Sequence, residues 1–114
     1  MLNALFDLAR PALFAFDPER AHMMSLDALE KGIHPRDTTP DDERLAASEA
    51  GLTFANPIGI AAGFDKDARV PDATLAMGCG FAEIGTVTPL AQAGNAKPRV
   101  FRLIRDRAVI NRLG

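Results

Sequence analysis

The apolar residues of the N-terminal segment recur at the spacing of one helical face. The first run is Leu2, Leu5, Phe6, Ala9 and Leu13. In the second run Ala21, Met24, Ala28 and Leu29 share one face with Ser25. This period predicts two short amphipathic helices within residues 1–34. Pro11 is expected to interrupt or restart the first helix, because proline lacks an N–H donor. Asp17 with Pro18 is a typical start for the second helix, and Gly32 is a typical end.

The pattern changes after this helical segment. Residues 35–48 are polar, charged and proline-bearing, which predicts a linker. Runs 58–62 and 81–87 are short, apolar and bounded by glycine, as expected of buried parallel strands, and run 70–77 between them predicts a helix. Further short strands are predicted at 51–54 and, as a hairpin, at 100–103 and 108–110. Strand, helix and strand in this order predict an α/β fold.

Composition excludes several classes of protein. The net charge of −2 argues against a general nucleic-acid binder, which would need a basic surface. The single cysteine, Cys79, excludes an internal disulfide, and we expect it to be a buried packing residue rather than a nucleophile. No run approaches the roughly 20 apolar residues of a membrane-spanning helix. The N-terminus also lacks the features of a signal peptide, and no residue is assigned to a metal site.

The end of the first predicted strand carries the most informative chemistry. Small residues at positions 61–63 would let a flat ring or a phosphate ester approach the backbone closely. Asp65 and Lys66 follow and are expected to be exposed. A lysine beside such a ring can stabilise negative charge that develops during two-electron reduction. The alternative is a surface lysine on an ordinary loop between strand and helix.

Three separated motifs occur in one order: NPIGIAAGFDK at 56–66, FAEIGTVTP at 81–89 and NAKPRVFRL to INRLG at 95–114, preceded by DPERAH at 17–22. Together they resemble class 2 dihydroorotate dehydrogenase, the membrane-associated flavoenzyme of pyrimidine synthesis. The resemblance implies that 49–114 begin a TIM (β/α)₈ barrel, after a two-helix, membrane-associated quinone-tunnel segment at 1–34 and a linker at 35–48. A barrel needs roughly 250 residues, so we expect the chain to be the N-terminal part of a longer protein.

The resemblance also implies residue roles. FMN would be contacted by Ala62, Gly63, Phe64, Asp65, Lys66, Thr86 and Asn111. Dihydroorotate or orotate would be held by Lys66, Asn111, Arg112, Leu113 and Gly114, with Leu113 in place of the family's more usual methionine. His22 and Arg102 would line the quinone tunnel. The family's catalytic serine lies beyond Gly114, so no residue of this segment is assigned as catalytic.

Other interpretations of the same residues are open at this point. Thr86 could cap the next element, Asn111 with Arg112 could form a surface turn, and His22 could be a helix-surface histidine. The resemblance implies oxidation of (S)-dihydroorotate to orotate, with a membrane quinone as acceptor and peripheral association with the cytoplasmic side of the inner membrane, if the source is bacterial. The alternatives are a soluble class 1-like enzyme using fumarate or NAD, and a non-catalytic module that binds a membrane surface or a partner.

Overall fold

The structure is a computed structural model that describes residues 2–114, with side chains described from Asp7 onward. Leu2, Leu5 and Phe6 of the predicted helical face therefore lie outside the described side chains. In chain order the elements are α1 Leu2–Ala15, α2 Pro18–Glu30, β1 Ala47–Glu49, β2 Leu52–Phe54, β3 Gly59–Ile60, α3 Pro71–Ala76, β4 Phe81–Ala82, β5 Val100–Leu103 and β6 Ala108–Asn111.

The chain forms two compact units, and each is described by itself. One contains the segment that ends at Ser25 together with Thr88–Gly114, and the other contains Leu26–Val87. Among residues 2–114, no helix combines the length and the apolar character needed to cross a membrane.

Helix α1 runs through Pro11 without a break, so the predicted interruption is wrong. Proline at this position removes the N–H that would bond the carbonyl of Asp7. Both residues are exposed, which leaves that carbonyl open to water and lowers the cost of the lost bond. The apolar face of α1 is also only partly covered, since Ala9 is exposed and Leu13 is half-buried.

The predicted start and end of helix α2 are both confirmed. Asp17 Oδ1 accepts hydrogen bonds from the backbone N–H groups of Glu19 at 3.0 Å and Arg20 at 3.1 Å. This is the N-cap geometry, in which a side-chain oxygen satisfies donors that have no partner inside the helix. At the other end Gly32 adopts a φ of 73°, which only glycine enters without strain.

The buried face of α2 differs in part from the predicted one. Ala21 and Leu26 are buried, whereas Met24 is 40% exposed and Ser25 lies at the surface. The Ser25 hydroxyl donates to the Ala21 carbonyl one turn earlier, at 2.9 Å. Leu26 is therefore a buried apolar residue of this helix in place of the predicted Met24.

The Leu26–Val87 unit contains the expected strand–helix–strand element. Strands β3 and β4 pair in parallel, with Gly59 opposite Phe81 and Ile60 opposite Ala82, and α3 connects them. Both strands are shorter than the predicted 58–62 and 81–87. The backbone leaves the extended conformation at Gly63, with a φ of 101°, and at Gly85, with a φ of 108°.

Aromatic packing closes the N-terminal end of this strand pair. The Phe81 ring lies so near Gly59 that a Cβ there would overlap it. The same ring meets Phe54 edge to face, with centroids 5.5 Å apart. Phe54 belongs to β2, which pairs in antiparallel fashion with β1. Strand β1 and a 3₁₀ turn at Glu43–Leu45 occupy the end of the segment predicted as a linker.

Asn56 is a buried polar anchor beneath the strand pair. Its side chain is 5% exposed. Nδ2 donates to Asp41 Oδ2 at 2.8 Å and to the Gly78 carbonyl at 3.0 Å, while Oδ1 accepts from the Ile58 N–H at 2.9 Å. A buried amide with its donors and acceptor paired fixes the polar segment before β3 to the loop after α3.

The C-terminal hairpin forms as predicted, whereas the cysteine does not fully match its prediction. Strands β5 and β6 pair in antiparallel fashion, as predicted for 100–103 and 108–110. The cysteine prediction is only partly met, because Cys79 is half-buried with a free thiol. The observed helices and the parallel strand pair agree with an α/β chain.

Candidate functional site

Backbone hydrogen bonds join the C-terminal ends of β3 and β4. The Glu83 N–H donates to the Ile60 carbonyl at 2.8 Å, and the Gly63 N–H donates to the Gly85 carbonyl at 2.9 Å. Thr86 follows Gly85 directly. The structure therefore brings the predicted cofactor residues 62–66 and Thr86 together. We call residues 61–66 with Gly85 and Thr86 the strand tip.

The strand tip presents small groups and backbone to solvent. Ala61, Ala62 and Thr86 are exposed, and Phe64 is half-buried. At Gly63 an added Cβ would have no neighbouring atom within 4 Å among the described residues, but the φ of 101° would strain any larger residue. A surface of this kind allows a flat ring to approach the main chain.

Asp65 is buried, whereas the sequence predicted that it would be exposed. Its side chain is 4% exposed. Oδ1 accepts from the Arg69 N–H at 2.8 Å and Oδ2 from the Val70 N–H at 2.7 Å. The short loop before α3 leaves these backbone donors without other partners, and a carboxylate is the acceptor that satisfies both. The exposed-charge prediction is therefore wrong for Asp65.

Lys66 is exposed, as predicted. Within the part of the chain that the structure describes, its ammonium group forms no ion pair and no side-chain hydrogen bond. Asp65, the residue before it, is fixed by its carboxylate, and the Asp65 carbonyl accepts from the Gly85 N–H at 3.1 Å. The strand tip thus combines a fixed backbone with a cation that is available to a ligand.

Arg69 holds the same loop from its other side, and the sequence analysis did not identify it. Its guanidinium donates to Asp27 Oδ1 at 2.6 Å and to Glu30 Oε2 at 2.7 Å. These hydrogen bonds to the carboxylates, first that to Glu30 and then that to Asp27, raise the pKa of Arg69. The sequence signal that could have indicated these ion pairs is the spacing of Asp27 and Glu30, two carboxylates three residues apart on one helix. The loop after Lys66 is therefore attached to α2.

The predicted substrate segment 111–114 packs on a loop of its own unit. The Leu113 carbonyl accepts from the Asn95 N–H at 3.0 Å, and the Arg112 carbonyl accepts from Asn95 Nδ2 at 2.9 Å. A Cβ on Gly94 would overlap the Leu113 carbonyl, so this approach requires glycine. Asn111 is exposed, and its Oδ1 accepts a long 3.4 Å hydrogen bond from the Leu113 N–H. Its amide is open to a ligand.

A largely buried ion pair organises that loop, and it too was missed. Arg99 Nη2 donates to Glu19 Oε1 at 2.7 Å, and the two side chains are 17% and 13% exposed. Arg99 Nη1 also donates to the carbonyls of Ala93 at 3.0 Å and Asn95 at 3.1 Å. The hydrogen bond from Arg99, followed by that from Lys97, holds the pKa of Glu19 below its ordinary value. The partners are 80 positions apart in the sequence, which explains why no local pattern indicated the pair.

The predicted tunnel residues His22 and Arg102 lie in the same unit. His22 is half-buried in α2. Arg102 Nη1 donates to the carbonyls of Phe16 at 2.8 Å and Phe14 at 3.2 Å, and its guanidinium lies 4.8 Å from the Phe14 ring centroid. A cation at the C-terminal end of a helix satisfies carbonyls that have no partner inside it. Arg102 therefore fixes the C-terminal end of α1.

A cavity of about 340 Å³ lies elsewhere in the Leu26–Val87 unit. His34, Arg36, Val70 and Ala76 are among its lining residues, and none of residues 62–66 is. The strand tip is therefore separate from this cavity. Across the residues with described side chains, no group of three His, Cys, Asp or Glu is placed to hold a metal ion.

The sequence of the chain is similar to that of known proteins. Residues 44–114 match the profile of the family described as dihydroorotate dehydrogenase. Relatives named dihydroorotate dehydrogenase (quinone) from Rhizobium meliloti and a Chelativorans species are each 60% identical over all 114 residues. One from Parvibaculum lavamentivorans is 62% identical over 110 residues, or 96% of this chain. The chain spans about a third of these relatives' length, at 32%, 31% and 32%.

Solved structures agree with this match. The crystal structure of DHODH from Eimeria tenella in complex with ferulenol has a TM-score of 0.82 and 52% identity, over 86% of this chain and 26% of that one. The ligand-free form from the same organism gives the same TM-score and identity, over 27% of its chain. These similarities confirm the α/β class and the resemblance to the quinone-dependent enzymes, and they do not favour the soluble class 1-like alternative.

The Glu19–Arg99 pair predicts a pH-dependent contribution to stability. Because the folded-state pKa of Glu19 lies below its ordinary 4.5, the stabilisation is fully present above that pH and is lost as the pH falls through the lowered pKa. In the whole protein, Glu19→Gln should lower the free energy of unfolding at neutral pH and have progressively less effect below pH 4.5.

Urea denaturation at several pH values measures this difference. Glu83→Gln is the matched control, because Glu83 is exposed and forms no ion pair with any residue whose side chain is described. An effect of Glu19→Gln that is equal at neutral and acid pH, or no larger than that of the control, would contradict the role of the pair.

Proposed function

The chain belongs to the dihydroorotate dehydrogenase family, as a match to the N-terminal part of its quinone-dependent class, and from this we propose the activity of the whole protein. It oxidises (S)-dihydroorotate to orotate in pyrimidine synthesis, with FMN as its flavin and a membrane quinone as the final electron acceptor. The observation that carries this proposal is the 60% identity over all 114 residues to relatives named for that activity.

The proposed architecture is a (β/α)₈ barrel that begins in this chain. Residues 49–114 are its first part, residues 35–48 the linker, and residues 1–34 a two-helix segment associated with the membrane. The parallel β3–β4 pair with α3 between its strands supports this proposal, because strand, helix and parallel strand are the repeating unit of such barrels. The candidate residues also follow the C-terminal ends of the strands, where barrel enzymes bind their ligands.

The strand tip fits a flavin. Ala62, Gly63, Phe64, Lys66 and Thr86 would hold FMN together with the main chain of Asp65, whose carboxylate is turned away, and Asn111 would be a further contact. The exposed small residues and the open space at Gly63 support this assignment, since they leave the backbone accessible to a planar ring. When bound, FMN supplies a two-electron acceptor for the hydride of the substrate. Lys66 places a positive charge where the ring system gains negative charge.

Residues 111–114 and Lys66 would bind the substrate. The Asn111 amide offers both donors and an acceptor, which suits the edge of a pyrimidine ring. The backbone of Arg112 and Leu113 is held by Asn95, so the segment is a fixed surface rather than a loose turn. The ammonium of Lys66 complements the carboxylate of dihydroorotate. We assign the catalytic base to none of the described residues.

The quinone would enter through the helical segment, past His22 and Arg102. Exposed apolar side chains on both helices support an association with lipid, since Leu8 is 79%, Phe14 50% and Met23 45% exposed. In a bacterium the site would lie on the cytoplasmic side of the inner membrane, where the association is peripheral. Arg102 already fixes the end of α1, and we propose that this contact also shapes the quinone entrance.

Replacing Lys66 tests its proposed contact with flavin and substrate. In the whole protein, Lys66→Ala should slow the reduction of bound FMN by dihydroorotate by about 10²–10³-fold, the usual cost of losing one preorganised charge contact. Anaerobic stopped-flow absorbance measures this rate. Lys31→Ala is the matched control, because Lys31 is an exposed lysine just after α2. Reduction at the wild-type rate in Lys66→Ala would refute the assignment.

Removing α1 tests the quinone entrance. Deletion of residues 1–16 leaves Asp17 to cap α2 and keeps the Arg69 ion pairs with Asp27 and Glu30. The truncated whole protein should lose most of its quinone turnover and its binding to lipid vesicles, whereas dihydroorotate should still reduce its FMN. His22→Ala should affect the same quinone half-reaction. An equal loss in both half-reactions would mean that α1 only stabilises the fold.

A further inference from the structure

Among the strand-tip side chains, the carboxylate of Asp65 is turned inward. Neighbouring Ala62 and Lys66 are exposed, whereas Asp65 is 4% exposed. Each of its two carboxylate oxygens accepts one backbone N–H, at 2.8 Å from Arg69 and 2.7 Å from Val70. Both oxygens therefore already accept hydrogen bonds from within the protein. A direct charge contact with a flavin or a proton transfer would require breaking these bonds.

Asp65 connects three parts of the Leu26–Val87 unit. Its side chain holds the residues that precede α3, its carbonyl accepts from the Gly85 N–H at 3.1 Å, and Gly63 donates back to the Gly85 carbonyl at 2.9 Å. Lys66 is the next residue, so its Cα is determined by these bonds. A long, flexible lysine side chain has no fixed position of its own and depends on the backbone that carries it.

The loop between Asp65 and Val70 is under conformational strain. Ala68 has a φ of 56°, in the left-handed region that non-glycine residues rarely adopt. Such a conformation persists only where the surrounding contacts hold it. Here they come from the Asp65 carboxylate on one side and from the Arg69 guanidinium on the other, which binds Asp27 and Glu30.

We propose that Asp65 is a positioning residue for Lys66. Its buried carboxylate fixes the strained loop 65–70 and thereby presents the Lys66 ammonium to the ligand, without touching that ligand itself. Arg69 extends this support to α2. The identity of the ligand that Lys66 contacts rests on the proposed function. The fixing of the loop by Asp65 is independent of that function.

The first arm of the test follows the loop directly, by hydrogen exchange in the whole protein. Asp65→Asn keeps the shape of the side chain but places an amide donor against one of the two backbone donors. Exchange at the Arg69 and Val70 amides should become about 10-fold faster or more, as expected when a charge-assisted hydrogen bond is lost. Asp67→Asn is the matched control, because Asp67 is exposed in the same loop.

Unchanged exchange at both amides in Asp65→Asn, or equal acceleration in Asp67→Asn, would overturn the proposal. Asp65→Ser is the second variant, to be used if Asp65→Asn does not fold. It shortens the side chain, removes the charge and adds no fixed donor, and its exchange is interpreted in the same way.

The second arm is a double-mutant cycle on orotate binding, followed by the absorbance of bound FMN. If Asp65 acts through Lys66, Asp65→Asn should weaken orotate binding by about 10-fold in the wild-type background and have no further effect in Lys66→Ala. Full additivity of the two losses would overturn the inference while leaving the proposed function intact. A wild-type whole protein that binds no orotate would overturn the proposed function and the role of Lys66, a result distinct from additive losses.

Discussion

A carboxylate taken out of water must accept hydrogen bonds, and this requirement at Asp65 determines the shape of the strand tip. Burial without partners would cost several kcal/mol, on the order of the penalties measured for unpaired buried charges. The backbone N–H groups of Arg69 and Val70 meet the requirement, which fixes the loop that carries Lys66. The same residue binds Gly85 through its carbonyl, so the ends of β3 and β4 stay together beyond the last residues of either strand.

Arginine side chains play a comparable part in both units, where each attaches a loop or a strand to a helix. Arg69 joins the strained loop to Asp27 and Glu30 of α2 in one unit. In the other, Arg99 joins the loop under residues 111–114 to Glu19, and Arg102 binds the terminal carbonyls of α1. Asp27 and Glu30 are about half exposed, so solvent screens their pairs with Arg69. These contacts serve mainly to define geometry, because the planar guanidinium bonds several acceptors at once.

Elements with a local signal could be predicted from the sequence. The Asp17 cap, the glycine end of α2, the β5–β6 hairpin and the order of strand, helix and strand depend on nearby residues, and all are present. The motifs also predicted which residues meet at the strand tip. Contacts over long separations were missed, such as Glu19 with Arg99. Asp65 was misjudged, since an acidic residue beside a lysine suggests solvent, whereas the orphan donors that bury it are visible only in three dimensions.

We propose that this chain supplies the flavin-facing strand tip of a quinone-dependent dihydroorotate dehydrogenase. The most direct measurement is the anaerobic absorbance of FMN in the purified whole protein, first with dihydroorotate and then with quinone, fumarate or NAD added separately. We predict that dihydroorotate bleaches the flavin band and that quinone restores it much faster than fumarate or NAD. A flavin that dihydroorotate does not bleach, or that fumarate or NAD restores as fast as quinone does, would contradict the account.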